Sequence, residues 1–187
     1  MRVSWAELYR DIGDCRRCKL CEGRTNVVPG EGDPHADLMF IGEGPGQEED
    51  RQGRPFVGRS GELLTRMIQA IGMERTEVYI CNVVKCRPPK NRDPEPDEAA
   101  ACRNYLRAQF ALVRPRVVVL LGRVACLHTL NEHVSITREH GQWYERKGVW
   151  FMPTFHPSAL LRDPSKKRDA WEDFQKVRQK MVELSEA

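Results

Sequence analysis

Seven cysteines stand in the 187 residues, and their spacing is uneven. Cys15 and Cys18 form a C-x2-C pair, Cys18 and Cys21 an equally good second one, and Cys86 and Cys102 follow far downstream, separated by fifteen residues. An odd number of cysteines in a chain of intracellular character argues against a disulfide framework and leaves metal binding or burial. Four thiolates from two places in a chain can close one centre. A tetrahedral zinc ion and an iron-sulfur cluster both accept such a set, and spacing alone does not separate them. Cys81 and Cys126 lie inside apolar patterns and read as buried reduced thiols.

A second constellation runs from Leu38 to Gly58. The apolar run Leu38 to Ile41 breaks into Gly42-Glu43-Gly44-Pro45-Gly46, the pattern of a buried strand entering a tight turn whose glycines let the backbone approach a ligand. Open α/β sheets bind their ligands at such strand ends. An acidic loop, Gln47 to Asp50, follows, and Arg54-Pro55-Phe56-Val57-Gly58 sets an aromatic ring beside a basic side chain.

The elements that must position these residues alternate strand and helix. A short helix over 3–12 carries Trp5, Leu8 and Ile12 on one side. Ser60 reads as the cap of a helix with Leu63, Leu64, Met67, Ile68 and Ile71 on one face, ended by Gly72. Val78 to Val84 reads as the second strand, and the proline-rich segment 87–96 as a surface excursion before a helix that Asp97 and Glu98 begin. Val117 to Leu121 has the continuous apolar character of a parallel strand covered on both faces. Gly122 turns it into a short helix through Leu130, and Gln142 to Phe155 reads as a hairpin turning at Lys147-Gly148. The last helix is marked by Trp171, Phe174, Val177 and Met181. The expectation is one α/β domain spanning 1–187, with helices on both faces of a doubly wound sheet.

The net charge is +3, and 22 of the 30 basic residues are arginines, suited to forked phosphate contacts, so nucleic acid is a weakly indicated partner. There is no apolar run near about 18 residues and no charged-then-apolar leader, so the expectation is a cytoplasmic protein with no membrane partner.

Five motifs in order, GEGPG, PFVG, the strand end Tyr79-Ile80-Cys81-Asn82, Lys85-Cys86-Arg87-Pro88-Pro89, and His156-Pro157-Ser158 with Leu160 and Leu161, together resemble the iron-sulfur uracil-DNA glycosylases, family 4 of that superfamily. The likeness covers roughly Cys15 to Trp171. It implies a three-layer αβα fold with a four-stranded, mostly parallel central sheet, a 4Fe-4S cluster, and removal of uracil from single- and double-stranded DNA with free uracil as product. It also implies that Cys15, Cys18, Cys86 and Cys102 hold the cluster, while Cys21 falls where the family has no ligand. By the same resemblance Glu43, Gly44, Pro45 and Gly46 line the uracil pocket, and Phe56 stacks on the base. Asn82 reads the polar edge, His156 meets a carbonyl, Glu49 crowds the C5 carbon and Leu160 matches the wedge that fills the gap left by the base.

Breaking an N-glycosidic bond builds positive charge on the sugar and negative charge on the departing base, so a site must stabilise both and position water. His156 is expected to donate to the O2 side of the leaving uracil, aided by main-chain N–H groups of the Gly44–Gly46 turn. An Asn82 amide presents donor and acceptor together, which matches O4 and N3–H of uracil and mismatches cytosine. Where the best-studied branch of the superfamily has an aspartate to activate water, this chain has Gly44, which leaves Glu43 or a backbone carbonyl for that task. Phosphate contacts are expected from Ser158, Arg162, Lys166, Lys167 and Arg168 at one end and from Lys85, Arg87, Lys90 and Arg92 at the other. Competing readings are a non-catalytic nucleic-acid binder and a nucleotide-binding enzyme. The latter lacks both G-x-G-x-x-G and a Walker lysine. Covalent trapping of uracil-DNA, as in a related branch, ranks low because residues 87–101 contain no histidine. A monomer is the expected state.

Overall fold

The computed structural model describes residues 3–187. Its strands are β1 (Glu31–Gly32), β2 (Leu38–Gly42), β3 (Tyr79–Asn82), β4 (Val117–Leu121), β5 (Tyr144–Arg146) and β6 (Val149–Thr154). The helices are α1 (Trp5–Gly13), α2 (Leu20–Gly23), α3 (Gln47–Gln52), α4 (Arg59–Ala70), α5 (Pro96–Val113), α6 (Arg123–Leu130), α7 (Ile136–Glu139), α8 (Pro157–Arg162) and α9 (Lys167–Glu186).

The sheet has six strands in the order β1-β3-β2-β4-β6-β5, not four. The four inner strands run parallel, and β1 and β5 add to the margins antiparallel. In the inner register Phe40 faces Ile80 on one side and Val119 on the other. Because strand side chains alternate faces, Met39, Ile41, Val118 and Leu120 pack on one side with Leu8 and Ile12 of α1 and Tyr105 and Leu106 of α5. Leu38, Phe40, Val117 and Val119 pack on the other with Leu64 and Ile68 of α4 and Phe174 and Val177 of α9. The expected αβα layering is present, widened by two short edge strands.

Several helix boundaries differ from expectation for identifiable reasons. The acidic stretch after the glycine turn is helical. Its Asp50 is buried, and one carboxylate oxygen accepts the main-chain N–H of Thr25 at 2.8 Å and of Asn26 at 3.3 Å, pinning the segment after Cys21. Gly58, not Ser60, is the N-cap of α4, and Ser60 lies in its first turn. Trp171 is 40% exposed, because the buried stripe of α9 is Ala170, Asp173, Phe174 and Val177. At the other end of the chain Ser4 and Glu7 form a reciprocal capping box that begins α1.

Candidate active site and cysteine centre

A cleft of about 680 Å³ opens at the carboxyl ends of the four parallel strands. Each strand delivers to it: β2 runs into Glu43–Gly46, β3 ends on Asn82, β4 leads to Gly122, and β6 to Phe155 and His156. Glu43, Gly44, Pro45, Gly46, Glu49, Phe56, Asn82 and His156, dispersed over more than a hundred residues of sequence, all line this one space. An arrangement in which Asn82 and His156 opened onto separate surfaces would have undone the reading.

Close packing at Gly42 makes the arrangement specific. A Cβ at that position would come within 2.5 Å of both Asn82 Oδ1 and Phe56 Cζ, so only glycine lets the amide and the ring sit side by side. Phe56 is 5% exposed and holds a left-handed backbone (φ 49°), a conformation costing roughly 1–3 kcal/mol for a residue with a side chain. Arg75 holds it there. Its Nη1 donates to the Phe56 carbonyl at 2.8 Å, its Nη2 to the Pro55 carbonyl, and Glu31 takes both Nε and Nη2 of the same guanidinium. Glu49 closes the loop from the other side, one carboxylate oxygen accepting the N–H of Val57 and of Gly58, each at 3.3 Å.

His156 is the N-cap of α8, and its ring centroid lies 5.5 Å from that of Phe56. The Ser158 main-chain N–H donates to Nδ1 at 3.1 Å, and the Ser158 hydroxyl is 2.7 Å from the same nitrogen. An Nδ1 that accepts carries no proton, so the neutral ring has its hydrogen on Nε2. Burial, and next the Arg162 guanidinium, depress its pKa to about 4. Gly122 (φ 96°) makes room for the ring: a Cβ there would stand 3.2 Å from His156 Cβ. Asn82 is 2% exposed, and its Oδ1 is buried without a hydrogen-bond partner. An orphaned acceptor costs about 1–3 kcal/mol and is a place where a ligand donor fits.

Glu43 faces Asp93, which the excursion after β3 carries to the cleft and which Arg123 pairs at 2.5 Å. Burial and then the Asp93 carboxylate push Glu43 up to about 7, against the opposing pull of Arg123 and Arg162. Asp93 and Arg123 escaped the sequence reading, since nothing in a proline-rich surface segment marks one acid among several.

Two expectations fail. Leu160 is completely buried against Phe155 and Ala170, because α8 turns that side of the helix to the core, so it presents no surface as a wedge. Lys85 is 2% exposed, its ammonium donating inward at 2.6 Å to the Asn82 carbonyl and at 2.6 Å to Gln109 Oε1, and is not available to a phosphate. Arg92, Arg162 and Lys166 do stand at the cleft, with Arg92 bound to Glu98 at 2.7 Å.

A second cavity lies beneath α1 and α5. Cys15, Cys18, Cys21, Cys86 and Cys102 border it together with Arg24 and Lys85. Arg24 Nη1 donates to the Cys15 carbonyl at 2.6 Å and to Cys86 Sγ at 3.4 Å. Burial raises the thiols of Cys18, Cys86 and Cys102, Cys86 to about 11 against the opposing pull of Arg24. Among the described residues no three His, Cys, Asp or Glu side chains close on a single metal ion. The donor chemistry, the soft sulfurs of five cysteines around one hollow with a guanidinium on one of them, fits an iron-sulfur group, which needs four. Cys81 and Cys126 are fully buried elsewhere, as expected.

The model of the uracil-DNA glycosylase superfamily matches residues 29–175. A parallel sheet with this cleft at its carboxyl edge therefore belongs to a member of that superfamily, an enzyme that hydrolyses N-glycosyl bonds in uracil-DNA repair. Similar curated proteins are the type-4 uracil-DNA glycosylases of Thermotoga maritima, 49% identical with 89% of each chain covered, and of Sulfurisphaera tokodaii, 46% identical over 94% of this chain and 84% of the relative. That of Archaeoglobus fulgidus is 44% identical over 91% and 90%. Within the superfamily the chain belongs to the type-4 uracil-DNA glycosylases. Among the described residues no helix is long and apolar enough to cross a membrane.

Proposed function

We propose that this enzyme, acting in the cytoplasm as a single-domain monomer, excises uracil from both single- and double-stranded DNA. The nucleotide leaves the stack, its N-glycosidic bond is hydrolysed, and free uracil and an abasic site remain. The observation that carries the reading is the unpartnered Oδ1 of Asn82 in the same cleft as a histidine whose only hydrogen is on Nε2. In the bound complex Oδ1 accepts N3–H of the base while the amide nitrogen donates to O4. Cytosine, with a donor at position 4 and no N3–H, mismatches both.

The residues then divide the chemistry. Phe56 stacks on the base, and Glu49, fixed by two amides, crowds its C5 carbon against thymine. As the C1′–N1 bond breaks, its electron pair leaves with uracil. The neutral His156 Nε2–H and the amides of the Gly44–Gly46 turn donate to O2 where the negative charge collects. Glu43, ionised above pH about 7, faces the developing positive charge of the sugar, orients the water whose oxygen adds to C1′ and takes the proton that water gives up, which then passes to the uracil anion. Cys15, Cys18, Cys86 and Cys102 hold a 4Fe-4S cluster, with Cys21 outside the set. When bound, such a group adds one-electron chemistry and ties the segments around its cavity together, and no electron is needed for hydrolysis.

The test is to incubate the protein, in chelator, with uracil-containing single and double strands and measure abasic sites and free uracil. Both products on both substrates, with many turnovers, are expected. Binding without release would leave a non-catalytic DNA binder. Iron and sulfide at about four per chain by the cluster's formula, with brown colour, are expected of the purified protein, and stoichiometric zinc would overturn the cluster.

A further inference from the structure

Lysine is seldom fully buried, and Lys85 is buried with only uncharged acceptors on its ammonium, the Asn82 carbonyl and Gln109 Oε1, each at 2.6 Å. Gln109 is itself committed, donating to the Pro29 carbonyl at 2.7 Å and to the Tyr79 hydroxyl at 3.0 Å. A charge taken out of water into such surroundings is costly unless an opposite charge lies near. The side that could supply one is the cysteine cavity. Lys85 borders it and stands immediately before Cys86 in the chain.

We propose that Lys85 is the internal counter-charge of the four-cysteine centre, a positioning residue that sets the centre's electrostatics. The inference rests on the cluster reading above. Four thiolates outweigh the positive charge of the iron-sulfur core, and reduction adds one more negative charge. A nearby ammonium therefore favours the reduced form, and its removal lowers the midpoint potential.

The experiment uses the whole enzyme, purified without oxygen, as wild type, Lys85→Met, Lys85→Gln and Lys85→Arg. Iron content and visible absorption are read first, and the midpoint by spectroelectrochemical titration second. The neutral variants are expected to favour the oxidised form by at least ~10-fold relative to wild type, about 59 mV downward for one electron, with Lys85→Arg near wild type. Loss of iron from both neutral variants with retention in Lys85→Arg supports the same charge role. An unchanged midpoint in a loaded neutral variant, or loss of iron from all three, overturns it in favour of packing. Wild type without iron overturns the cluster reading itself, and the Lys85 proposal with it.

Discussion

His156 enters the reaction neutral, since its Nδ1 is occupied by the Ser158 amide and burial holds its pKa near 4. In the proposed reaction it is a fixed donor that contributes no titration between pH 5 and 9. Replacing it with Ala is expected to lower single-turnover excision by roughly 10²–10³-fold, the usual cost of one oxyanion donor, while the circular-dichroism melt stays close to wild type. Glu43 is the group whose titration is visible. Its folded pKa is raised, so the folded state binds a proton more tightly than the unfolded one, and ionisation costs stability as pH rises from its ordinary value near 4.5 through about 7. Excision is expected to rise with pH through about 7. Glu43→Gln should flatten that limb of the single-turnover profile and melt higher than wild type at pH 8 but not at pH 4. A limb that persists in Glu43→Gln would remove Glu43 from water activation. These two side chains were legible because each sits beside a motif whose chemistry is local. Lys85 was not: a lysine after a strand and before an arginine-proline stretch reads as surface, and what draws it inward is the Asn82 carbonyl and Gln109, twenty-four positions away on another element.

At the level of elements, the ends of β2 and β3 set the distance between the Phe56 ring and the Asn82 amide, and Gly42 is the spacer. Gly42→Ala is expected to weaken free-uracil binding at least ~10-fold by calorimetry and to cost roughly 1–3 kcal/mol of stability, since neither Phe56 nor Asn82 has room to retreat. Arg75 sits outside the cleft yet clamps two carbonyls of the Phe56 turn, so Arg75→Met is expected to raise KM more than it lowers kcat in steady-state excision. The inner strands β2 and β4 were readable from continuous apolar runs, and β6 as the second arm of a hairpin. The two-residue β1 was not, because it owes its conformation to pairing with Tyr79 and Ile80 rather than to any pattern of its own. Leu160 belongs to the same lesson: a leucine after a helix cap carries no mark of which way that helix faces, and α9 decides it.

For the molecule as a whole, the basic residues divide by where folding leaves them. Arg162 and Lys166 line the cleft, so replacing both with Gln is expected to flatten the slope of log K against log salt by about 2 for duplex DNA, measured by anisotropy. The layered architecture and the strand-end location of the site followed from alternation of apolar runs and glycine turns. The partnership of Glu43 with Asp93 did not, since it is made by a segment without regular pattern. That segment leaves Cys86 at the cysteine cavity, carries Asp93 to the cleft, and returns to Cys102. Lys90 and Asn91, at its tip, both lie at positive φ. Among the described residues this stretch lines both hollows, so trypsin sensitivity at Lys90 offers a gel-based gauge of whether a change at the cysteine cavity loosens the segment that reaches the cleft.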